Sequence, residues 1–509
     1  MSITELDDHG TAALDGVLIR APGLRGTVTV EKATPGRRMR GPTVADKELD
    51  RALATMGMRN TRTIVIRAPR TALQPGGRTT RSRGGGQRAG LRPQDLEIDV
   101  PTPPARHKQV ILSIDEHGIA TFHLPEPVVP KAAEPTFRDG GATERFIVPR
   151  VVAPPPVGAA ATTRGLVPGL SHVIRVITFP IAKAVGQLGQ SAARSWDQER
   201  HPHQVRRRLA GGTWGPLDDA GWGDLEKGPV LLFIHGTFST SEGGFGALPA
   251  ETWTELLRRY DGRVIAFDHP TIADDPAVNI RELLRLVGDR TLELDVVCHS
   301  RGGLVARTLA ERPGSLKDLG PNVTVRTVVL VAATCNGTIL ASAKNWDELV
   351  NRATTLLALV PGVALSATLE TILAVVRSLA VEVVEDLEGL DCMAPGSDFL
   401  ERLNDPAAEP PAARYVALVS NYEPTDPALR AWLTDQTRDW IFKGAPNDLM
   451  VANESTIGKN GSRAFPVTIH RDFEPDEGVE HSGFFGRPMT SQALLEWLAP
   501  DKAAVPGGG

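Results

Sequence analysis

Leu294-Asp295-Val296-Val297-Cys298-His299-Ser300-Arg301-Gly302-Gly303-Leu304-Val305-Ala306-Arg307 decides how this chain is read. Leu294 to Val297 is a short apolar run of the kind expected for a strand buried on both faces. From Gly303 to Arg312 the pattern turns helical. A serine between such a strand and such a helix sits on a tight turn that lifts its hydroxyl off the sheet. The backbone there turns too sharply for large flanking side chains, which accounts for Gly302 two residues after Ser300. A small residue is also wanted two before, where glycine is usual and Cys298 stands. The helix that follows offers its N-terminal amides and its dipole to an oxyanion. Ser-x-Gly alone is a weak pattern, and an ordinary serine-containing turn competes with it. The flanking strand and helix favour a nucleophile at Ser300.

Working outward, Val230 to Ile234, Arg263 to Phe267, Val325 to Ala332 and Tyr415 to Val419 are further short apolar runs. Helical stretches at Thr252–Tyr260, Asn279–Val287 and Gly303–Arg312 fall between them, so the expected architecture is α/β, a mostly parallel sheet covered on both sides. The Val230 run ends in His235-Gly236-Thr237-Phe238. A glycine here lets the backbone bend so that the next amide faces a reacting carbonyl, which makes the amides of Thr237 and Arg301 the expected oxyanion donors. Each such donor is worth about 3 kcal/mol of transition-state stabilisation. His235 reads mainly as a packing residue that hydrogen-bonds the loop.

His235-Gly236-Thr237, Phe267-Asp268-His269-Pro270 and Cys298 to Arg307 together resemble the lipase-type α/β-hydrolases, closest to an uncharacterised bacterial branch associated with CHAT-domain proteins. The resemblance covers roughly residues 225 to 500 and implies a Ser–His–Asp triad and ester or acyl substrates, with no metal and no cofactor. Cys298 and Arg301 depart from the pattern, and Arg301 still contributes its backbone N–H. Triad partners should follow the serine in the order acid, then histidine. Pro446-Asn447-Asp448-Leu449-Met450-Val451 resembles the acid turn of lipases, so Asp448 is the expected acid; Asp435 and Asp439, in an apparently helical stretch, are fallbacks. Val479-Glu480-His481-Ser482-Gly483 precedes the terminal helix Ser491–Leu498, and His481 resembles the family's base. His470, directly after a strand-like run, competes with it. Asp268 and His269 line a pocket or, better, brace the oxyanion loop. Cys335-Asn336-Gly337-Thr338 reads as a pocket wall, and Cys298 as a packing residue rather than a redox-sensitive neighbour of the nucleophile.

Thr354 to Val384, within a cap expected at about 347–390, is long, apolar and helical. It is either a lid lined by Leu356, Leu357, Leu359, Leu365, Leu369 and Ile372, hinged at Pro361-Gly362, or an ordinary buried helical pair. The activity implied is a carboxyl-ester hydrolase working through an acyl-enzyme. Acyl transfer or amide cleavage on the same triad, or a non-catalytic interaction scaffold, are the alternatives, since fold does not fix substrate.

The 509 residues carry 41% hydrophobic and 23% charged side chains and a formal net charge of −5, enough apolar content for more than one core and no global reason to expect nucleic acid. Residues 1–69 look β-like, 70–105 form a basic Gly/Pro-rich linker, 106–160 contain a hairpin over Gln109–Leu124, 161–224 read as a helical connector, and 501–509 as a disordered tail. In the linker, Arg70, Arg78, Arg81, Arg83, Arg88 and Arg92 lie among glycines; without interleaved aromatic residues they suit a solvated linker better than a nucleic-acid or membrane tether. The connector, helical from Ser171 to Arg208, either packs on a neighbouring domain or lies on a membrane surface; peripheral membrane contact through 171–195 or the cap is thus open. Three scattered cysteines, Cys298, Cys335 and Cys392, fit a reducing compartment, and the acidic N-terminus is no secretory signal, so a cytoplasmic location is expected.

Overall fold

The protein is described here from a computed structural model that covers residues 2–32, 44–68, 95–114, 120–126, 142–148, 170–181, 194, 197–359, 365–380, 387–405, 411–424, 441–442, 444–458 and 467–498. The chain divides into two compact units: residues 1–185 with 376–382 and 426–435, and residues 186–375 with 383–425 and 436–509.

The first unit is antiparallel and β-rich. Its strands are β1 (Ser2–Glu5), β2 (Thr11–Leu14), β3 (Val17–Arg20), β4 (Thr27–Lys32), β5 (Arg59–Ala68), β6 (Leu96–Pro101), β7 (His107–Ile114), β8 (Ala120–His123), β9 (Thr143–Val148) and β10 (Leu170–Pro180). They form a six-stranded sheet, β1-β4-β5-β10-β7-β8, and a four-stranded one, β2-β3-β6-β9. Both contribute to one core, with Val28, Ile64, Ile66 and Val176 from the first and Val17, Ile98 and Phe146 from the second. β7 and β8 pair with Ile111 opposite His123.

Two expectations are corrected here. The stretch from Ser171 is not helical: Leu170–Pro180 is an eleven-residue strand between β5 and β7. Residues 174–179 are all buried, so the segment shows no period-two alternation. A run of that kind satisfies helix and strand templates alike, and its β-branched content (Val173, Ile174, Val176, Ile177, Thr178) decides for the strand. No interfacial helix forms over 171–180, and 182–193 lie outside the described residues. The basic linker is likewise shorter than expected. Its residues 69–94, with all six arginines, are outside the described residues, but Leu96–Pro101 is strand β6, its acidic residues meeting Arg20 and Arg145.

The second unit holds β11 (Gln204–Arg208), β12 (Trp214–Pro216), β13 (Val230–Ile234), β14 (Val264–Asp268), β15 (Leu292–His299), β16 (Val323–Val331), β17 (Arg414–Ser420) and β18 (Val467–Phe473). The sheet runs β12-β11-β14-β13-β15-β16-β17-β18. β14 through β18 are parallel, and β11 is antiparallel to β12 and β14. The unit therefore begins before residue 225. The arginine-rich end of the expected connector is β11, whose charged side chains find acids: Arg206 meets Glu242 and Asp268, and Arg207 meets Asp224.

Alternate residues of each central strand enter opposite cores. Val230, Leu232 and Ile234 join Val296, Cys298 and the helices Pro276–Val287 and Gly302–Glu311 on one face. Leu231 and Phe233 join Val297, Val329 and the helices Ala250–Arg259 and Pro488–Trp497 on the other. A sheet covered on both sides explains the unbroken apolar runs. Between β16 and β17 lie the helices Trp346–Leu359 and Leu365–Ala380. Leu356 and Ile372 are buried; Pro361-Gly362 and the side chains of Leu357, Leu359, Leu365 and Leu369 are outside the described residues. Among the described residues no helix is long and apolar enough to cross a membrane.

Candidate active site

Ser300 is the first of the two residues, Ser300 and Arg301, that link β15 to the helix Gly302–Glu311, and its φ is +54°. A non-glycine residue in the left-handed region costs of order 1–3 kcal/mol and persists only where its surroundings hold it. Here Ser300 N donates to the Val331 carbonyl at the end of β16 (3.0 Å), and the Ser300 carbonyl accepts from Gly303 N (2.9 Å). Missing side chains let the neighbours close in. A Cβ on Gly302 would collide with the carbonyls of Ile234 and His235, and one on Gly303 with Ala333. A Cβ on Gly236 would lie 2.7 Å from Ser300 Cβ and 3.3 Å from its hydroxyl. The end of β13 and the serine elbow are thus in direct contact.

The loop after β18 brings His481 next to Asp448. His481 Nδ1 is 2.8 Å from Asp448 Oδ2, and His481 N donates to the Asp448 carbonyl (3.0 Å). A carboxylate only accepts, so Nδ1 carries the hydrogen and the neutral ring is left with Nε2 as its basic nitrogen. Asp448 is 2% exposed; its second oxygen accepts from Met450 N (3.0 Å) and Val451 N (2.8 Å). His299, the residue before the serine, ties this pair to the elbow. Its Nε2 donates to the His481 carbonyl (2.8 Å), and the two rings lie 4.7 Å apart. Burial, with the neighbouring His481 ring, pushes His299 down to about 3, so it is neutral and fixed as a donor. His299 was passed over in the sequence because no spacing rule gives that position a role.

Among the described residues, neither Thr237 N nor Arg301 N is paired with an acceptor. Thr237 Oγ1 donates to Met393 Sδ at 3.6 Å. His235 packs as expected: its Nε2 accepts from His269 N (3.3 Å), so its Nδ1 donates to the Gly236 carbonyl (3.0 Å), and burial holds it below the usual histidine range. Asp268 accepts from the backbone (2.8 Å) and hydroxyl of Ser241 and lies 3.3 Å from Arg206. His269 stacks on His235, ring centres 4.3 Å apart. Both brace the 235–241 loop.

Arg301 does more than the sequence suggested. Its guanidinium is fully buried and reaches the carbonyls of Gly389 (Nε, 2.8 Å) and Asp274, and Asn279 Oδ1 (3.1 Å). It therefore ties the Asp274–Asn279 segment and the Glu388–Asp391 helix to the elbow. The Cys335–Thr338 segment braces the acid turn, with Thr338 Oγ1 donating to the Met450 carbonyl (2.6 Å). Cys298 is a buried packing residue whose thiol donates to the Val329 carbonyl (3.3 Å); burial raises it well above the usual thiol range. His470 sits exposed on β18, 3.3 Å from Asp472. Asp435 and Asp439 lie outside the described residues.

Solved structures similar to this chain include the mature form of the Bacillus licheniformis lipase BlEst2 (16% identity, 53% of this chain, 92% of that chain, TM-score 0.32). Lipase 1 from Pelosinus fermentans is another (15%, 53% and 98%, TM-score 0.35), as is phospholipase PlaB from Legionella pneumophila (13%, 45% and 45%, TM-score 0.27). No curated protein matches the chain. Residues 202–499, more than half of the 509, match the family described as a domain of unknown function, DUF7379, and the chain belongs to that family.

Proposed function

We propose that this protein is a serine hydrolase of the α/β-hydrolase type that cleaves carboxyl esters of a lipid or small-molecule acyl substrate through an acyl-enzyme. One observation carries the reading: a serine at φ +54° between a strand and a helix, joined through His299 to a buried His481–Asp448 pair. In this reading the Ser300 hydroxyl attacks the acyl carbon while His481 Nε2 takes its proton. The protonated imidazole is stabilised by Asp448, which stays ionised. The developing oxyanion accepts from the amides of Thr237 and Arg301. His481 gives its proton to the leaving alcohol, then activates water to release the acid. No step needs a metal or cofactor. With three buried free thiols, a reducing, cytoplasmic setting suits the chain.

A fluorophosphonate probe tests this directly. The wild-type protein should be labelled and should hydrolyse p-nitrophenyl esters, and Ser300→Ala should do neither. Equal labelling of the alanine variant would remove Ser300 from the role. An ester chain-length panel reads the acyl preference, and a competing alcohol in the assay separates hydrolysis from acyl transfer.

A further inference from the structure

The turn that carries Asp448 is held in shape from the helix Trp346–Leu359. Leu449, directly after the acid, stands at φ +84° with its side chain buried, a conformation that residues other than glycine rarely adopt. Its carbonyl accepts from Nη1 of Arg352 at 2.7 Å. Arg352 is 2% exposed; its Nε donates to Glu348 Oε1 (2.8 Å) one helical turn earlier, and its guanidinium lies 5.4 Å from the Phe442 ring centre.

Peptide planarity makes these contacts matter to the acid. The Leu449 carbonyl and the Met450 N–H belong to one rigid plane and point in opposite directions. Arg352 grips the carbonyl end, and the amide end donates to Asp448 Oδ1 (3.0 Å). The next plane repeats the arrangement, with Thr338 Oγ1 on the Met450 carbonyl (2.6 Å) and Val451 N on Asp448 Oδ1 (2.8 Å). A rearrangement of the turn that relieves the positive φ of Leu449 would carry the 449–450 plane with it and withdraw an N–H from the carboxylate.

We infer that Arg352 is a positioning residue for catalysis. Through the 449–450 peptide it aims Asp448 at His481, so the seating of the Trp346–Leu359 helix sets whether the triad is competent. This rests on the serine-hydrolase reading above.

The test uses the full chain with Arg352→Met, Leu449→Gly and the double variant. Displacing a catalytic group by about an ångström can cost on the order of a hundredfold, so Arg352→Met should lower kcat and the fluorophosphonate labelling rate by about thirtyfold, with KM changed less. The downfield proton NMR signal of the His481 Nδ1–H should shift or vanish. Glycine holds φ +84° without strain and needs no external grip, so Leu449→Gly should restore most of the lost rate in the Arg352→Met background. A purely structural arginine would not be rescued in this way. Wild-type rates and an unshifted proton signal in folded Arg352→Met would overturn the inference, as would a folded double variant with no recovery. Should Arg352→Met fail to fold, Glu348→Gln loosens the guanidinium's ion pair instead. A severalfold fall in kcat with a shifted proton signal supports the proposal, and unchanged values overturn it. Absence of labelling in the wild type as well would instead sink the serine-hydrolase reading, and the inference with it.

Discussion

Ser300 and Gly236 are in close contact, and the consequence of that contact can be measured. Alanine at 236 would put a Cβ 2.7 Å from Ser300 Cβ and 3.0 Å from the His299 carbonyl, so either the elbow or the 235–241 loop must move. Gly236→Ala should therefore lower kcat/KM by about a hundredfold while the variant stays folded by circular dichroism. Activity within a few-fold of wild type would mean that the loop gives way without disturbing the serine. At this scale the placements proposed for the triad were legible because such chemistry constrains its surroundings: Ser300 on a strand-to-helix turn, and Asp448 in a later loop beside His481, which comes before the last helix. His299 and the side chain of Arg301 were not, since each acts through a carbonyl group supplied by a distant segment: a separation of 182 positions between His299 and His481 leaves no local pattern. Arg352 is hidden for the same reason.

Elements were legible where burial leaves a one-sided mark. The central strands β13 to β17 are unbroken apolar runs because helices cover both faces of the sheet. β10 carries the same mark, yet eleven apolar-rich residues also fit a helix, and only β-branching separates the two. β11, at Gln204-Val205-Arg206-Arg207-Arg208, offers a single apolar residue, Val205; Arg206 and Arg207 are matched by acids on other segments, and Arg208 lies over the Trp214 and Trp253 rings. The helix Pro276–Val287, which packs against the elbow helix, is better marked. Asp275 Oδ1 accepts from Val278 N (2.8 Å), and Pro276 occupies the first turn. Asp275→Ala should cost about 1 kcal/mol by loss of that cap, read as a lower urea midpoint with an unchanged m-value. No change would show that the Pro276 turn and the packed apolar face suffice to start the helix.

For the molecule as a whole, buried histidines set the response to acid. His203, His235, His269 and His299 are all held below the usual histidine range, burial being the largest cause in each, and His299 falls to about 3. In the unfolded chain these groups take up protons as pH falls through about 6.5; in the folded chain they do not. The unfolded state therefore binds more protons, and the stability present above about pH 6.5 is lost progressively on acidification. For His299 the window runs from about 6.5 down to about 3, a loss of about 2 kcal/mol by pH 5. Glu144 and Glu480, raised by burial, act in the opposite direction at lower pH. Trp214, Trp253 and Trp497 lie in the core of the eight-stranded sheet, so tryptophan fluorescence follows its unfolding. The urea midpoint should fall between pH 7 and pH 5, and it should fall less in His299→Gln, which keeps a polar side chain but takes up no proton. Equal drops in both proteins would assign the acid sensitivity to other groups. A midpoint independent of pH would mean that these imidazoles are protonated, and accommodated, inside the fold.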